Sequence, residues 1–230
     1  MQMAPQPTST KSTKNVVILI SGRGSNMEVF LDASSQGLLN GTIVRVISNR
    51  PDAQGIITAS KRGIATAVID HKKFETREAF DAALAEEVAS AQPDVIVLAG
   101  FMRILTPVFI DRFLGKLVNI HPSLLPKYTG LNTHQRAIDA GDSEAGATVH
   151  YVTNELDGGP AILQARVTIE DLDTAETLAS RVLEIEHCIF PEAVNWHLQE
   201  RVVHAEQGAY LDGKLLPPNG ATWEPTSAQP

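Results

Sequence analysis

The sequence predicts an α/β fold: a single-domain open, mostly parallel twisted sheet with flanking helices, extended by an antiparallel addition in its C-terminal half. Three observations carry this. Apolar, β-branched runs alternate with segments whose apolar residues recur at spacings of three and four, the pattern of successive βαβ units. From Ala145 that alternation yields to two strand-like runs joined by a Gly- and Pro-rich connection, the mark of antiparallel pairing. No break in composition divides the 230 residues, so one domain is expected.

Residues 1–14 are rich in Pro, Ser, Thr, Gln and Lys, have little to bury and are expected to form a disordered tail. The first strand is "NVVILIS", starting at Asn15, a continuous apolar run suited to burial on both faces of a parallel sheet. Further strands are predicted at 42–48, 65–69, 94–100 and 116–120, with helices over 27–36, 53–62, 77–90 and 107–114 between them and right-handed crossovers. "GATVHYVT" and "ILQARVTI", joined by "NELDGGPA", predict a hairpin-type addition at one edge of the sheet. A long helix then starts near Thr174, with Asp173 or Thr174 as N-cap and Glu176 in its first turn, and runs to about Glu200. Pro191 is expected to bend or break it. "AYLDGKLLPP" carries an Asp-Gly turn between apolar flanks and predicts a small terminal hairpin. The catalytic domain is therefore placed at 15–218, with 219–230 as a loosely ordered tail.

Hydrophobic residues at 43% and charged residues at 20% are ordinary for a soluble globular chain. The formal charge of -8 argues against a general nucleic-acid binder, because affinity for a phosphate backbone rests on clustered Lys and Arg. A single cysteine, Cys188, allows no internal disulfide and fits a reducing compartment. No apolar run approaches the roughly 18–20 residues that span a bilayer, and the start lacks the apolar core of a signal peptide. The expected location is the cytoplasm, without a membrane partner.

In open α/β sheets ligands bind beyond the carboxyl ends of the strands, so those ends are where chemistry is sought. After the first strand, "SGRGSNMEVF" places Gly22 and Gly24 where backbone N–H groups can approach an anion, with Ser25 and Asn26 at a helix N-terminus. A tight strand-to-helix turn uses the same glycines. The segment lacks the third glycine of a dinucleotide fingerprint and the Lys of a Walker loop, which argues against NAD and ATP. The fourth strand ends in "LAGFMRIL", where Arg103 among apolar residues suits carboxylates and flat rings, or is a surface charge beside ordinary core. At the end of the fifth strand, Asn119 and His121 are two apart and share a face. Asn119 can donate to a developing oxyanion, His121 can hold or move a proton, and Asp157 in "NELDGG" can relay it. Plain turn chemistry also accounts for an Asn and a His before Pro122 and for an Asp before Gly158 and Gly159. His134, His150 and His187 show no metal-ligand spacing, so no metal is expected; His134 is placed beside the site and His150 on a strand facing it. Neither a Ser elbow nor a thiol-activation motif is present, which disfavours covalent catalysis.

"GRGSN", "DVIVLAGFMRIL", "NIHPSLLPKYTG" and "ELDGGPAILQ", in this order and spacing, resemble the folate-dependent formyltransferase family, and within it the enzymes that formylate glycinamide ribonucleotide in purine biosynthesis. The resemblance covers roughly 15–218 and implies a Rossmann-like formyltransferase fold. It implies formyl transfer from the cosubstrate 10-formyltetrahydrofolate to the amine of glycinamide ribonucleotide without a metal, by a monomer or homodimer. Residue by residue, it implies Asn119, His121 and Asp157 as the catalytic trio, and Gly24, Ser25 and Asn26 as the phosphate loop. Glu186 would hold the substrate ribose. Folate would lie along Phe101, Met102, Arg103, Ile104 and Leu105 and against Asp157, with the backbone at Arg103 and Leu105 reading the pterin. The Arg77 and Arg103 side chains would sit near its glutamate tail. Two positions depart from the family pattern: Asn132 replaces a histidine and cannot titrate, and Leu183 stands where a polar residue often reaches the phosphate. A formyltetrahydrofolate deformylase would use the same trio on water but usually carries an extra N-terminal domain. Methionyl-tRNA formyltransferases add a basic tRNA-binding domain. A silent folate- or nucleotide-binding module would not require the intact trio.

Overall fold

The computed structural model describes residues 13–225. The outer parts of the two expected tails, 1–12 and 226–230, lie outside the described residues. Strands β1 (Asn15–Ile20), β2 (Thr42–Ser48), β3 (Thr66–Val68), β4 (Val95–Leu98) and β5 (Leu117–His121) pair in parallel, in the spatial order β5-β4-β1-β2-β3. Two antiparallel strands, β6 (Glu144–Tyr151) and β7 (Ala161–Thr168), extend the β5 edge, as the Gly-rich connection between them predicts. Beyond the main sheet, β8 (Val202–Ala205), β9 (Gly208–Leu211) and β10 (Lys214–Leu215) form a small antiparallel sheet. The β9–β10 turn is the expected Asp-Gly pair, Asp212 and Gly213, both at positive φ as a two-residue hairpin turn of this kind requires.

The helices beside the sheet include α1 (Ser25–Ser35), α2 (Gln54–Lys61), α3 (Arg77–Ser90), the short α4 (Pro107–Ile110), α5 (Thr133–Asp139) and α6 (Ala175–Leu198). Alternate residues of β1 explain why its apolar run is unbroken. Val16, Ile18 and Ile20 join Phe30 of α1 and Phe190 of α6 on one face, while Val17 and Leu19 join Phe80 and Leu84 of α3 on the other. Thr76 caps α3 by accepting from the Ala79 N–H, and Thr174 with Thr177 forms a reciprocal capping box at the start of α6.

Several expectations are corrected. Of the two outcomes expected at Pro191, the break does not occur: α6 continues through it, with Ile189, Phe190, Ala193 and Val194 around it fully buried, and that burial outweighs the roughly 3 kcal/mol of an interior proline. The segment from 219 is not loose throughout, because Ala221 and Thr222 form β11, parallel to β7, and the Trp223 indole N–H donates to Glu192 at 3.1 Å. Gly220 makes this possible: at its φ of 76° a Cβ would lie 2.8 Å from the Ile162 carbonyl carbon. At the other end, Lys14 belongs to the folded body, its carbonyl accepting from Thr42 N at 2.8 Å. Helix α5 and strand β8 were not expected; both are too short to show a periodicity.

Candidate active site

The floor of the site is the cross-strand pair Asn119–His150, set by the β5–β6 register. His150 is buried, with Nδ1 at 2.9 Å from the Tyr151 carbonyl. A carbonyl only accepts, so Nδ1 carries the proton. Burial pushes the His150 pKa down to about 4, so at neutral pH Nε2 is a bare lone pair. Asn119 Nδ2, at 3.2 Å from Nε2, must therefore donate to it. One backbone carbonyl thus fixes the ring tautomer, and the ring fixes which way the Asn119 amide points. The second Asn119 N–H is left for the site.

His121 ends β5 and shares the face of Asn119. Its Nε2 donates to the Tyr128 carbonyl at 2.9 Å, which leaves Nδ1 directed at Asp157 Oδ2, 3.5 Å away, with both side chains nearly buried. Asp157 sits at a φ of 52° before Gly158 and Gly159, and its Oδ2 also accepts from Gly130 N at 2.8 Å. The close approach behind it needs glycine, since a Cβ at Gly159 would lie 1.9 Å from the Tyr151 oxygen, the same oxygen that sets the His150 tautomer. The turn after His121 is held from below by Thr148, whose hydroxyl donates to the Ser123 carbonyl and accepts from Leu125 N and Gln164 Nε2. His134, near the site as expected, is partly buried, and desolvation followed by the neighbouring His121 lowers its pKa. Asn132 is exposed at the N-cap of α5 with φ 58°, a conformation asparagine tolerates.

A second group faces the N-terminus of α1. Gly24 adopts φ 80° as its N-cap, and among the described residues no side chain caps the helix. Ser25 and Asn26 follow in the first turn, where unpaired N–H groups and the helix dipole favour an anion. Gly55 of α2, which the sequence did not single out, presses on this loop: its N–H donates to Gly22 O at 3.1 Å, and a Cβ there would meet Ile20 at 2.5 Å. Asn26 Nδ2 donates to Glu186 Oε2 at 2.8 Å, while Asn26 Oδ1 is buried with no partner among the described residues. Desolvation pushes the Glu186 carboxyl up, against the opposing hydrogen bond from Asn26. Leu183, one turn earlier on α6, is partly buried.

The third group is the loop after β4. Met102 is 73% exposed and Ile104 57%, whereas Leu105 is buried and Phe101 partly so. The Arg103 guanidinium lies over the Phe80 ring at 4.9 Å, and the Arg77 guanidinium donates to the Ile104 carbonyl. Arg77 is thus tied to the loop backbone. Among the described residues no cluster of His, Cys, Asp and Glu is arranged to hold a metal ion.

Residues 14–194 match the formyl transferase family, and the chain belongs to it. Among its relatives, the phosphoribosylglycinamide formyltransferase of Escherichia coli K12 is 48% identical over 206 residues, covering 90% of this chain and 97% of that protein. The enzyme of the same name from Haemophilus influenzae is 47% identical, over 90% of this chain and 98% of its own length. The solved phosphoribosylglycinamide formyltransferase of Coxiella burnetii superposes with a TM-score of 0.88 at 45% identity, covering 93% of this chain and all of that one.

Proposed function

We propose that this protein transfers the formyl group of 10-formyltetrahydrofolate to the amine of glycinamide ribonucleotide, giving N-formylglycinamide ribonucleotide and tetrahydrofolate in purine biosynthesis. The convergence of Asn119, His121 and Asp157 at the carboxyl end of β5 and the facing loop supports the reading most. The relatives at 48% and 47% identity, matched over nearly their whole length, are named phosphoribosylglycinamide formyltransferases.

The neutral substrate amine attacks the formyl carbon. The C–N bond forms as the carbonyl π pair moves to oxygen, giving a tetrahedral oxyanion. Asn119 donates its free amide N–H to that oxygen, and protonated His121, its Nδ1–H beside the Asp157 carboxylate, supplies the second stabilising contact. Asp157, with an ordered water, takes a proton from the attacking nitrogen and passes one to folate N10 as that C–N bond breaks, so no net proton or water is consumed. Holding the amine and the formyl carbon in contact supplies the rest of the acceleration. Gly24, Ser25 and Asn26 bind the phosphate, Glu186 the ribose, and the 101–105 loop the folate. The enzyme works in the cytoplasm without a metal.

The test is an absorbance assay of purified protein with 10-formyl-dideazafolate, run with and without glycinamide ribonucleotide. Deformylated folate formed only in its presence is the expected result. Formate released at the same rate without it would replace the transferase with a hydrolase and withdraw the phosphate-loop assignment.

A further inference from the structure

The loop after β4 is held at every second residue. Met102 N–H donates to Ser21 Oγ at 2.8 Å, the Arg77 guanidinium donates to the Ile104 carbonyl, and Thr106 N–H donates to the Asp81 carboxylate. The Ser21 contact has a defined direction, because the single hydroxyl proton goes to Asn49 Oδ1 at 2.6 Å and turns a lone pair toward Met102. Between these anchors, the backbone N–H and C=O of Arg103 and Leu105 enter no hydrogen bond among the described residues, although Leu105 is only 6% exposed. The backbone groups of a buried residue such as Leu105 are rarely left without a partner.

The anchors have a common origin. Arg77, Phe80 and Asp81 stand at i, i+3 and i+4 on α3 and so share one face. Each meets the loop: Arg77 at Ile104, Phe80 under the Arg103 guanidinium, and Asp81 at Thr106. Asp81 is 1% exposed, and its only hydrogen bond among the described residues is the one to Thr106 N. A carboxylate buried so deeply is costly unless its position is used.

We propose that Asp81 is a positioning residue for the formyl donor: with Arg77 and Ser21 it clamps residues 102, 104 and 106, so that the free backbone groups of Arg103 and Leu105 present a preset hydrogen-bonding edge to a flat heterocycle. This rests on the folate reading above. The heterocycle class is one with adjacent donors and acceptors on one edge, as in a pterin.

The test begins with equilibrium binding of 10-formyl-dideazafolate to the wild-type protein. No binding there would overturn the folate reading, and this proposal with it. With binding established, Asp81→Ala is expected to raise the donor KM about tenfold by leaving the Thr106 N–H unpartnered. The kcat and the ribonucleotide KM should stay within about twofold of wild type. Asp81→Asn, which keeps an acceptor oxygen, should restore the donor KM. A native donor KM in Asp81→Ala overturns the proposal, as does a fall in kcat with both KM values unchanged, the signature of a structural role alone. Should Asp81→Ala fail to fold, Ser21→Ala at the Met102 anchor is expected to give the same selective rise, and an unchanged donor KM there overturns the clamp.

Discussion

The strand-borne floor of the site and its helix-and-loop rim treat hydrogen bonds in opposite ways. On the floor, the Tyr151 carbonyl fixes His150, His150 fixes the Asn119 amide, and the Tyr128 carbonyl fixes the edge of His121. On the rim, polar groups are left over among the described residues: Asn26 Oδ1 is buried without a partner, α1 has no side-chain cap, and the backbone at Arg103 and Leu105 is unbonded. The lesson is a division of labour. Groups that act on reacting atoms must not reorganise during the reaction, so the fold satisfies them from behind. Groups that hold a substrate must have capacity to spare, so the fold leaves them open and keeps their frame rigid instead.

The largest effect should come from the floor. Asp157→Asn retains an oxygen for the Gly130 N–H but loses the carboxylate, so the loop stays in place while proton transfer fails. A fall in kcat of about 10²–10⁴ is expected, with both KM values little changed; full formyl transfer by this variant would remove Asp157 from the mechanism. Next in size is a pair of glycines. Gly159→Ala drives a Cβ into the Tyr151 carbonyl that orders the floor, and should cost about 1–3 kcal/mol in denaturant unfolding and lower kcat as well. Gly22→Ala on the rim meets nothing within 4 Å and should leave stability within about 0.5 kcal/mol of wild type. Equal losses in the two variants would erase the contrast.

The contrast also predicts opposite pH slopes. His150 has its folded pKa depressed to about 4, so the unfolded chain takes up this proton first as the pH falls. Its contribution is fully present above about pH 6.5 and is lost between about 6.5 and 4, roughly 3 kcal/mol in all. Glu186 has a raised folded pKa, so its contribution is present below the ordinary carboxylate range and is lost as pH rises through the raised value. Unfolding free energies measured across pH in wild type and Glu186→Gln should separate the two, with only the high-pH loss absent from the variant. Imidazole ¹⁵N shifts should report His150 as the Nδ1–H tautomer at neutral pH; the Nε2–H form would break the chain from Tyr151 to Asn119.

Much of the floor was legible in the sequence and much of the rim was not. The alternation of a strand put Asn119 and His121 on one face, whereas the Asp-Gly-Gly connection offered Asp157 as a candidate beside a plain turn reading, and the resemblance joined it to them. His150 was placed on a facing strand, but the direction of the Asn119 amide depends on a tautomer that no spacing encodes. The α3 face that anchors the 102–106 loop was visible as a helix and invisible as a clamp, because its partners are 25 and 27 positions away and were specified only by tertiary packing. Gly55 escaped notice for the same reason: its constraint is the approach of α2 to the loop after β1. β11 is too short for any pattern, and only its pairing with β7 defines it. The anion-binding reading of Gly24, Ser25 and Asn26 was open to local sequence beside a plain turn, whereas the role of Glu186 came from resemblance, since local spacing alone leaves it in a core helix.

A modest effect is expected at the position most specific to the rim. Glu186→Gln replaces a buried, protonation-prone carboxyl with an amide of the same shape. Its oxygen can still accept from Asn26 Nδ2, and its new N–H groups offer a partner to the buried Asn26 Oδ1, which has none among the described residues. Satisfying that atom should raise stability at neutral pH by up to about 1 kcal/mol. The same bond occupies a group kept open for the substrate, so the ribonucleotide KM should rise a few fold while kcat and the donor KM hold. Stability and affinity are thus expected to move in opposite directions at one residue. If Glu186→Gln proves less stable than wild type, the open hydrogen-bonding capacity of Asn26 is not what the rim maintains there; if the ribonucleotide KM is unchanged, Glu186 does not hold the ribose.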